Sequence, residues 1–120
     1  HVGAVRQIAA DTDCKVYLHE KELGLPAAMT DGPLDYTDLY SAGGTLSIAG
    51  LDIKVLHTPG HTPGGVCIRC EDALFTGDTL FHHGWGRTDL PGGNEEALFR
   101  SLRRILPLSR EREVHPGHED

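Results

Sequence analysis

Eight residues in the middle of the chain, Thr58 to Gly65, constrain the fold more than any other stretch. They read Thr-Pro-Gly-His-Thr-Pro-Gly-Gly, and two prolines and three glycines in eight positions exclude both helix and strand. Runs typical of strands flank them, residues 51–56 before and 66–70 after. The sequence therefore predicts that His61 lies on a stiff loop between two strands. Such a loop suits a metal ligand, because little conformational freedom remains to be lost on binding.

Composition limits what the chain can do. Its 120 residues predict one domain, residues 1–120, and the net charge of −7 argues against a nucleic-acid-binding surface. No apolar run approaches the roughly 20 residues that a membrane helix needs. The cysteines, Cys14, Cys67 and Cys70, are odd in number, which favours a reducing, cytoplasmic setting over a disulfide framework. The sequence leaves the oligomeric state open.

The hydrophobic pattern predicts a mixed α/β fold. Helices are expected at residues 1–11 and 94–106, with Asn94 capping the second and Pro107 ending it. Strands are expected at residues 15–19, 45–48, 51–56, 66–69, 73–76 and 113–115. The second and third of these are expected to form a hairpin around Ala49-Gly50. The irregular stretch 25–39 is long for a loop and is interpreted as a lid or an insertion.

Three loops share one design. His61, Asp78 and His118 each follow a predicted strand in a turn that contains glycine. Strands that deliver histidine and aspartate to one rim are a common way to build a metal site. Imidazole and carboxylate ligands suit zinc, iron or manganese. The alternative for each histidine alone is a solvated side chain on a turn, and the sequence alone leaves both open.

The motifs around these residues resemble a known family. Residues 58–64 (TPGHTPG), 75–78 (FTGD), 84–89 (GWGRTD) and 116–118 (PGH) are similar, in order, to motifs of the metallo-β-lactamase-fold hydrolases, most closely the glyoxalase II-like (hydroxyacylglutathione hydrolase-like) branch. The resemblance implies an αββα sandwich, of which this chain would be the later two-thirds. His1-Val2-Gly3 looks like the end of the family's H-x-H-x-D-H motif, so we expect an amino-terminal part to be missing.

The resemblance also implies a site and a reaction. His61 would belong to one metal site, His1 and His118 to a second, and Asp78 would bridge two zinc ions, with iron or manganese possible. The metals would lower the pKa of a shared water to about 7, and the resulting zinc-bound hydroxide would attack a small-molecule thioester such as S-lactoylglutathione. Two of the expected histidines and an aspartate would lie upstream of residue 1. We therefore predict that the 120-residue chain alone binds zinc weakly or not at all and is inactive.

Other hydrolases of this fold, such as lactonases, stay open at this point, and so do two functions of a different class. One is an iron-dependent glutathione persulfide dioxygenase, a branch that shares the fold and the segment around Arg87 and Asp89. The other is a non-catalytic fragment whose histidines are incidental.

Several polar residues have a structural and a functional interpretation. Arg87 either pairs with Asp89 to brace its loop or contacts substrate. Cys67 and Cys70 form a C-x-x-C, but three residues apart on a strand they face opposite sides, which favours core packing over metal binding. Among the remaining histidines, we expect His57 to pack or hydrogen-bond in its loop, His19 to be exposed and His115 to be structural. We expect His82 and His83 to be exposed, with a position lining the pocket as the alternative for either.

Overall fold

A computed structural model describes residues 4–26, 34, 36–41 and 44–118. The chain divides into two compact units, His1–Ser41 and Ala42–Asp120. His1, which the resemblance implies as a metal ligand, and most of the irregular stretch 25–39 lie outside the described residues. No helix in the described ranges combines the length and apolar character needed to cross a membrane.

The first unit contains short elements. Helix α1 spans Val5–Thr12, strand β1 spans Tyr17–His19, and a 3₁₀ helix follows directly at Glu20–Gly24. Strand β2, Asp38–Tyr40, pairs with β1 in parallel, with Leu18 opposite Leu39. The pattern did not predict β2, because three residues are too few to show a period.

His19 is buried, with only 2% of its surface exposed, so its predicted exposure was wrong. The reason is local: His19 is the cap of the 3₁₀ helix, and its Nδ1 accepts a 3.2 Å hydrogen bond from the Lys21 N–H. Its ring and that of Tyr40 are nearly perpendicular, with 5.2 Å between the centroids. The turn into the 3₁₀ helix thus brings the side chain inward.

The second unit is built on a five-stranded sheet. Its strands follow chain order: β3 (Gly44–Ile48), β4 (Leu51–His57), β5 (Val66–Cys70), β6 (Ala73–Gly77) and β7 (Glu113–Pro116). Neighbours are antiparallel except β6 and β7, which are parallel. The β3–β4 hairpin turns at Ala49 and Gly50, whose φ angles of 53° and 79° suit the tight two-residue turn predicted there.

Helix α2, Glu95–Ser109, covers one face of this sheet. Asn94 caps it as predicted, its side-chain oxygen accepting a 2.9 Å hydrogen bond from the Ala97 N–H. The core joins the helix to the sheet, with Leu98, Leu102 and Ile105 against Cys67 and Leu74.

The prediction that Pro107 ends α2 was wrong, because the helix continues to Ser109. Proline here removes one hydrogen bond, to the carbonyl of Arg103. Arg103 is exposed, so water can satisfy that carbonyl. Leu108, packed against the core, favours the extra turn.

The two cysteines of the C-x-x-C lie on β5 as expected. Cys67 is completely buried in the core and Cys70 is half-buried. Burial raises the pKa of the Cys67 thiol, a shift partly offset by hydrogen bonds from Thr58 and Thr79. Neither sulfur is in a disulfide, and Cys67 packs in the core as expected.

Candidate metal centre

The sheet topology brings His61, Asp78 and His118 to one edge. Strands β4, β6 and β7 run in the same direction, since β5 is antiparallel to both β4 and β6, and β7 is parallel to β6. His61 lies on the loop after β4, Asp78 directly after β6, and His118 two residues after β7. The carboxyl ends of three parallel strands therefore present all three side chains together.

Asp78 lies between the two histidines. Its Oδ1 accepts a 2.7 Å hydrogen bond from Nδ1 of His118, and its Oδ2 is 3.3 Å from Nε2 of His61. The Asp78 side chain is 12% exposed, whereas His118 is 54% exposed. The carboxylate is therefore recessed, and the site opens to solvent on the His118 side.

A backbone carbonyl fixes the tautomer of His61. Its Nδ1 is 2.8 Å from the carbonyl oxygen of Arg87, which can only accept, so Nδ1 carries a proton. In a neutral ring Nε2 then bears a lone pair, and this nitrogen faces the Asp78 carboxylate at 3.3 Å. Two acceptors that face each other at this distance repel unless a proton or a cation lies between them. The geometry therefore favours a positive species between His61 and Asp78.

Glycines allow the backbone to close around Asp78. A Cβ added at Gly86 would clash with the Asp78 carbonyl oxygen and lie 3.2 Å from Nδ1 of His61. A Cβ at Gly117 would lie 2.7 Å from Oδ1 of Asp78. Side chains at either position would push apart the groups that form the site, which explains glycine in both turns.

Helix α2 holds the His61 loop in place. The buried Ser101 hydroxyl donates a 2.7 Å hydrogen bond to the Pro59 carbonyl, and Arg104 donates a 2.8 Å bond to the His57 carbonyl. Gly60 packs so closely on Leu98 that a Cβ there would overlap its backbone. The sequence did not indicate these contacts. Ser101 and Arg104 belong to no motif, and a basic residue such as Arg104 on a helix is usually solvated.

The loop also bonds within itself and to the segment after β6. His57 Nε2 is 2.9 Å from the Pro63 carbonyl, as the hydrogen-bonding interpretation predicted. The buried Thr58 hydroxyl is 3.2 Å from the Thr79 hydroxyl, which links the loop to the residue after Asp78. The side chains that carry the site are thus supported by buried hydrogen bonds.

Arg87 and Asp89 form a bidentate pair, with nitrogen–oxygen distances of 2.6 and 2.8 Å. The hydrogen bonds that Arg87 donates to Asp89 lower the pKa of Asp89 to about 2, and the same bonds raise the pKa of Arg87. The bracing interpretation is confirmed, while a contact between Arg87 and substrate stays a prediction.

A small hairpin follows Asp78. Leu80 pairs with Trp85, and the Gly86 N–H donates to the Thr79 carbonyl at 3.3 Å. His82 and His83 lie at its tip, and both are exposed as predicted. His115 on β7 stacks on Phe75 with 5.0 Å between centroids, in agreement with a structural role.

The donors at this edge suit a divalent metal ion. Two imidazole nitrogens and a carboxylate are the ligands that zinc and iron commonly use in proteins. Within residues 4–26, 34, 36–41 and 44–118, however, no group of three His, Cys, Asp or Glu side chains is arranged to hold a metal ion as it stands. The Asp78 oxygens instead contact the histidine nitrogens directly, so metal binding would require these side chains to separate.

The whole chain resembles proteins of known family. The model of the metallo-beta-lactamase superfamily matches residues 1–118. A probable metallo-hydrolase of Bacillus subtilis, YqgX, is 36% identical over 98% of this chain and 63% of its own length. Hydroxyacylglutathione hydrolase GloC of Haemophilus influenzae is 43% identical over 63% of this chain and 37% of its own length. The chain thus spans less than two thirds of these relatives.

Solved structures agree on the fold. BLEG-1 B3 metallo-beta-lactamase superposes with a TM-score of 0.87 at 36% identity, covering 100% of this chain and 65% of that protein. TTHA1623, solved in a di-iron-bound form, gives a TM-score of 0.79 at 38% identity over the same fractions. The predicted α/β metallo-β-lactamase fold is therefore confirmed, and proteins of this fold bind divalent metals that include iron.

Proposed function

Because the chain belongs to the metallo-β-lactamase superfamily, we propose that the protein is a metal-dependent hydrolase of small thioesters. The contact of Asp78 with both His61 and His118 is the observation that carries this proposal. Similarity to a hydroxyacylglutathione hydrolase over 63% of the chain supports the thioester substrate.

His61, Asp78 and His118 would hold the metal. The Arg87 carbonyl orients His61 so that Nε2 is the ligand nitrogen, and such outer hydrogen bonds are common at metal-bound histidines. Asp78 offers one oxygen toward each histidine, which suits a carboxylate that bridges two metals. His1 would be a further ligand, as the resemblance implies. Two zinc ions are the proposed cofactors, with iron or manganese as alternatives.

The reaction would be hydrolysis of the carbon–sulfur bond. When bound, a divalent metal supplies Lewis acidity, which lowers the pKa of water and polarises a carbonyl. Water adds to the thioester carbonyl carbon, the carbon–sulfur bond breaks, and the products are a carboxylate and a thiol. Asp78, recessed and fixed by two histidines, would hold the attacking water by accepting its hydrogen bond. Because a thiolate is a good leaving group, the site does not need a strong general acid.

The substitution Asp78→Asn in the complete protein tests this function. We expect bound zinc and iron to fall at least about tenfold and hydrolysis of S-lactoylglutathione to fall with them, because the amide cannot bridge as an anion. Gln7→Asn, an exposed change on α1, is the control and should alter neither. Unchanged metal content and activity in Asp78→Asn would contradict the proposal and favour the non-catalytic alternative.

Further assays on the wild-type protein separate the alternatives. Oxygen uptake with a glutathione persulfide, without thioester hydrolysis, would identify a persulfide dioxygenase. Cleavage of a cephalosporin without thioester hydrolysis would instead indicate β-lactamase activity, the activity that the name of BLEG-1 states. Either result would replace the proposed substrate class while leaving the metal site intact.

A further inference from the structure

A groove of about 460 Å³ opens beside His118. One wall is the hairpin tip, His82 and His83, and the other is the chain from Val114 to His118. Its volume falls in the range of small-molecule sites. A molecule bound there would lie next to the Asp78–His118 pair, although none of the proposed metal ligands except His118 lines the groove.

The groove has an unusual chemical character for this chain. Four of its seven lining residues are histidines, and the others, Val114, Pro116 and Gly117, are uncharged. None is an aspartate or glutamate, although the chain as a whole carries a net charge of −7. Imidazole N–H groups donate hydrogen bonds to carboxylates. His115 already lies 3.5 Å from the Glu113 carboxylate and His118 bonds to Asp78, so the donor that remains for an anion in the groove is His83.

Two contacts form the groove in advance of any ligand. His82 Nε2 lies 3.2 Å from the Val114 carbonyl and so donates to it, which ties the hairpin tip to β7. The His115 ring is held by stacking on Phe75. His83, by contrast, is exposed and makes no hydrogen bond or ion pair with any residue that the structure describes. Its ring is available to a ligand, whereas its neighbours fix the shape.

We propose that this groove binds the carboxylate-bearing end of an acidic thioester and that His83 determines this specificity. The thioester part of this inference rests on the proposed function. The anionic end would lie along β7, with the reactive carbonyl toward Asp78.

Binding of S-methylglutathione, a thioether that cannot be hydrolysed, tests the groove without turnover. Its dimethyl ester is the matched neutral probe. In the complete, metal-loaded protein we expect His83→Glu to weaken binding of S-methylglutathione at least about fivefold and to leave binding of the diester within about twofold. Gln7→Glu adds a negative charge at an exposed position of α1 and should change neither affinity. Calorimetry supplies the affinities, and histidine NMR signals identify the residues that respond.

The outcomes of these binding experiments test the groove proposal separately from the proposed thioester hydrolysis. Equal effects of His83→Glu on both probes, or no binding of S-methylglutathione to the wild type, would overturn the groove proposal even if thioesters are hydrolysed. Charge-selective binding in a protein that hydrolyses no thioester would support the groove and refute the proposed reaction. In kinetics, the supporting result is a raised KM for S-lactoylglutathione in His83→Glu with kcat within about twofold.

Discussion

The Nδ1 nitrogen of His61 donates a 2.8 Å hydrogen bond to the backbone carbonyl of Arg87. This bond joins the β4–β5 loop to the segment that returns from the hairpin after Asp78. It makes Nε2 the acceptor nitrogen and points it at the carboxylate. Because a backbone carbonyl orients the ring, the arrangement depends on the path of the chain at Gly86 more than on the identity of the Arg87 side chain.

Substitution Gly86→Ala should disrupt this path. The added Cβ would clash with the Asp78 carbonyl and press on the His61 ring, so we expect a loss of about 1–3 kcal/mol in the free energy of unfolding and a lower metal content. Denaturant unfolding and metal analysis provide the measurements. Gly44→Ala, where nothing lies within 4 Å of the added Cβ, is the control. Similar stability and metal content in both variants would show that Gly86 does not constrain the site.

Ser101 provides a second test, at the support of the loop. Ser101→Ala removes the donor to the Pro59 carbonyl, and we expect a cost of about 1–3 kcal/mol because a partly buried carbonyl loses its partner. Ser109→Ala makes the same change in the same helix, but it removes a bond to Leu106 only three residues away, so its effect should be smaller. Urea unfolding of both variants compares them. A larger loss in Ser109→Ala would mean that α2 does not anchor the His61 loop through Ser101.

The sequence predicted the parts of this fold that have strong local signals. The hairpin at Ala49 and Gly50, the cap at Asn94 and the positions of His61, Asp78 and His118 after strands all follow from glycine, proline and periodicity. It could not predict that β7 pairs with β6, since forty residues separate Asp78 from His118 and no local pattern encodes the pairing. Only the resemblance to the family implied that Asp78 and His118 would lie at the same site.

The wrong and the missing predictions also have physical causes. Pro107 breaks helices in general, but one hydrogen bond lost next to solvent is tolerated when Leu108 packs against the core. The anchoring contacts of Ser101 and Arg104 join side chains to carbonyls more than forty residues away. Only the folded chain reveals such partners, because the sequence does not show which carbonyls need a donor.

The Arg87–Asp89 pair predicts a pH dependence. The pKa of Asp89 is lowered to about 2 from an ordinary value of 3.8, so the folded state favours the ionised carboxylate. The stabilisation from this group is complete above pH 3.8 and is lost as the pH falls from there toward 2. Carboxyl NMR titration should show the low value in the wild type and a value closer to 3.8 in Arg87→Met. An unchanged titration in that variant would mean that Arg87 does not cause the shift.

The cysteines should differ in reactivity according to their burial. Cys14 is exposed, Cys70 is half-buried, and Cys67 is buried with the pKa of its thiol raised, so little thiolate forms there at pH 8. We expect iodoacetamide to label Cys14 first, Cys70 more slowly and Cys67 only after unfolding in urea, as peptide mass spectrometry can measure. Equal labelling of Cys67 and Cys14 in the native protein would contradict the core position of Cys67. Strand residues that face opposite sides cannot share one ion, so added zinc should not slow the labelling of Cys70. Protection of Cys70 by zinc in the native protein would contradict this arrangement and indicate a metal site at the C-x-x-C.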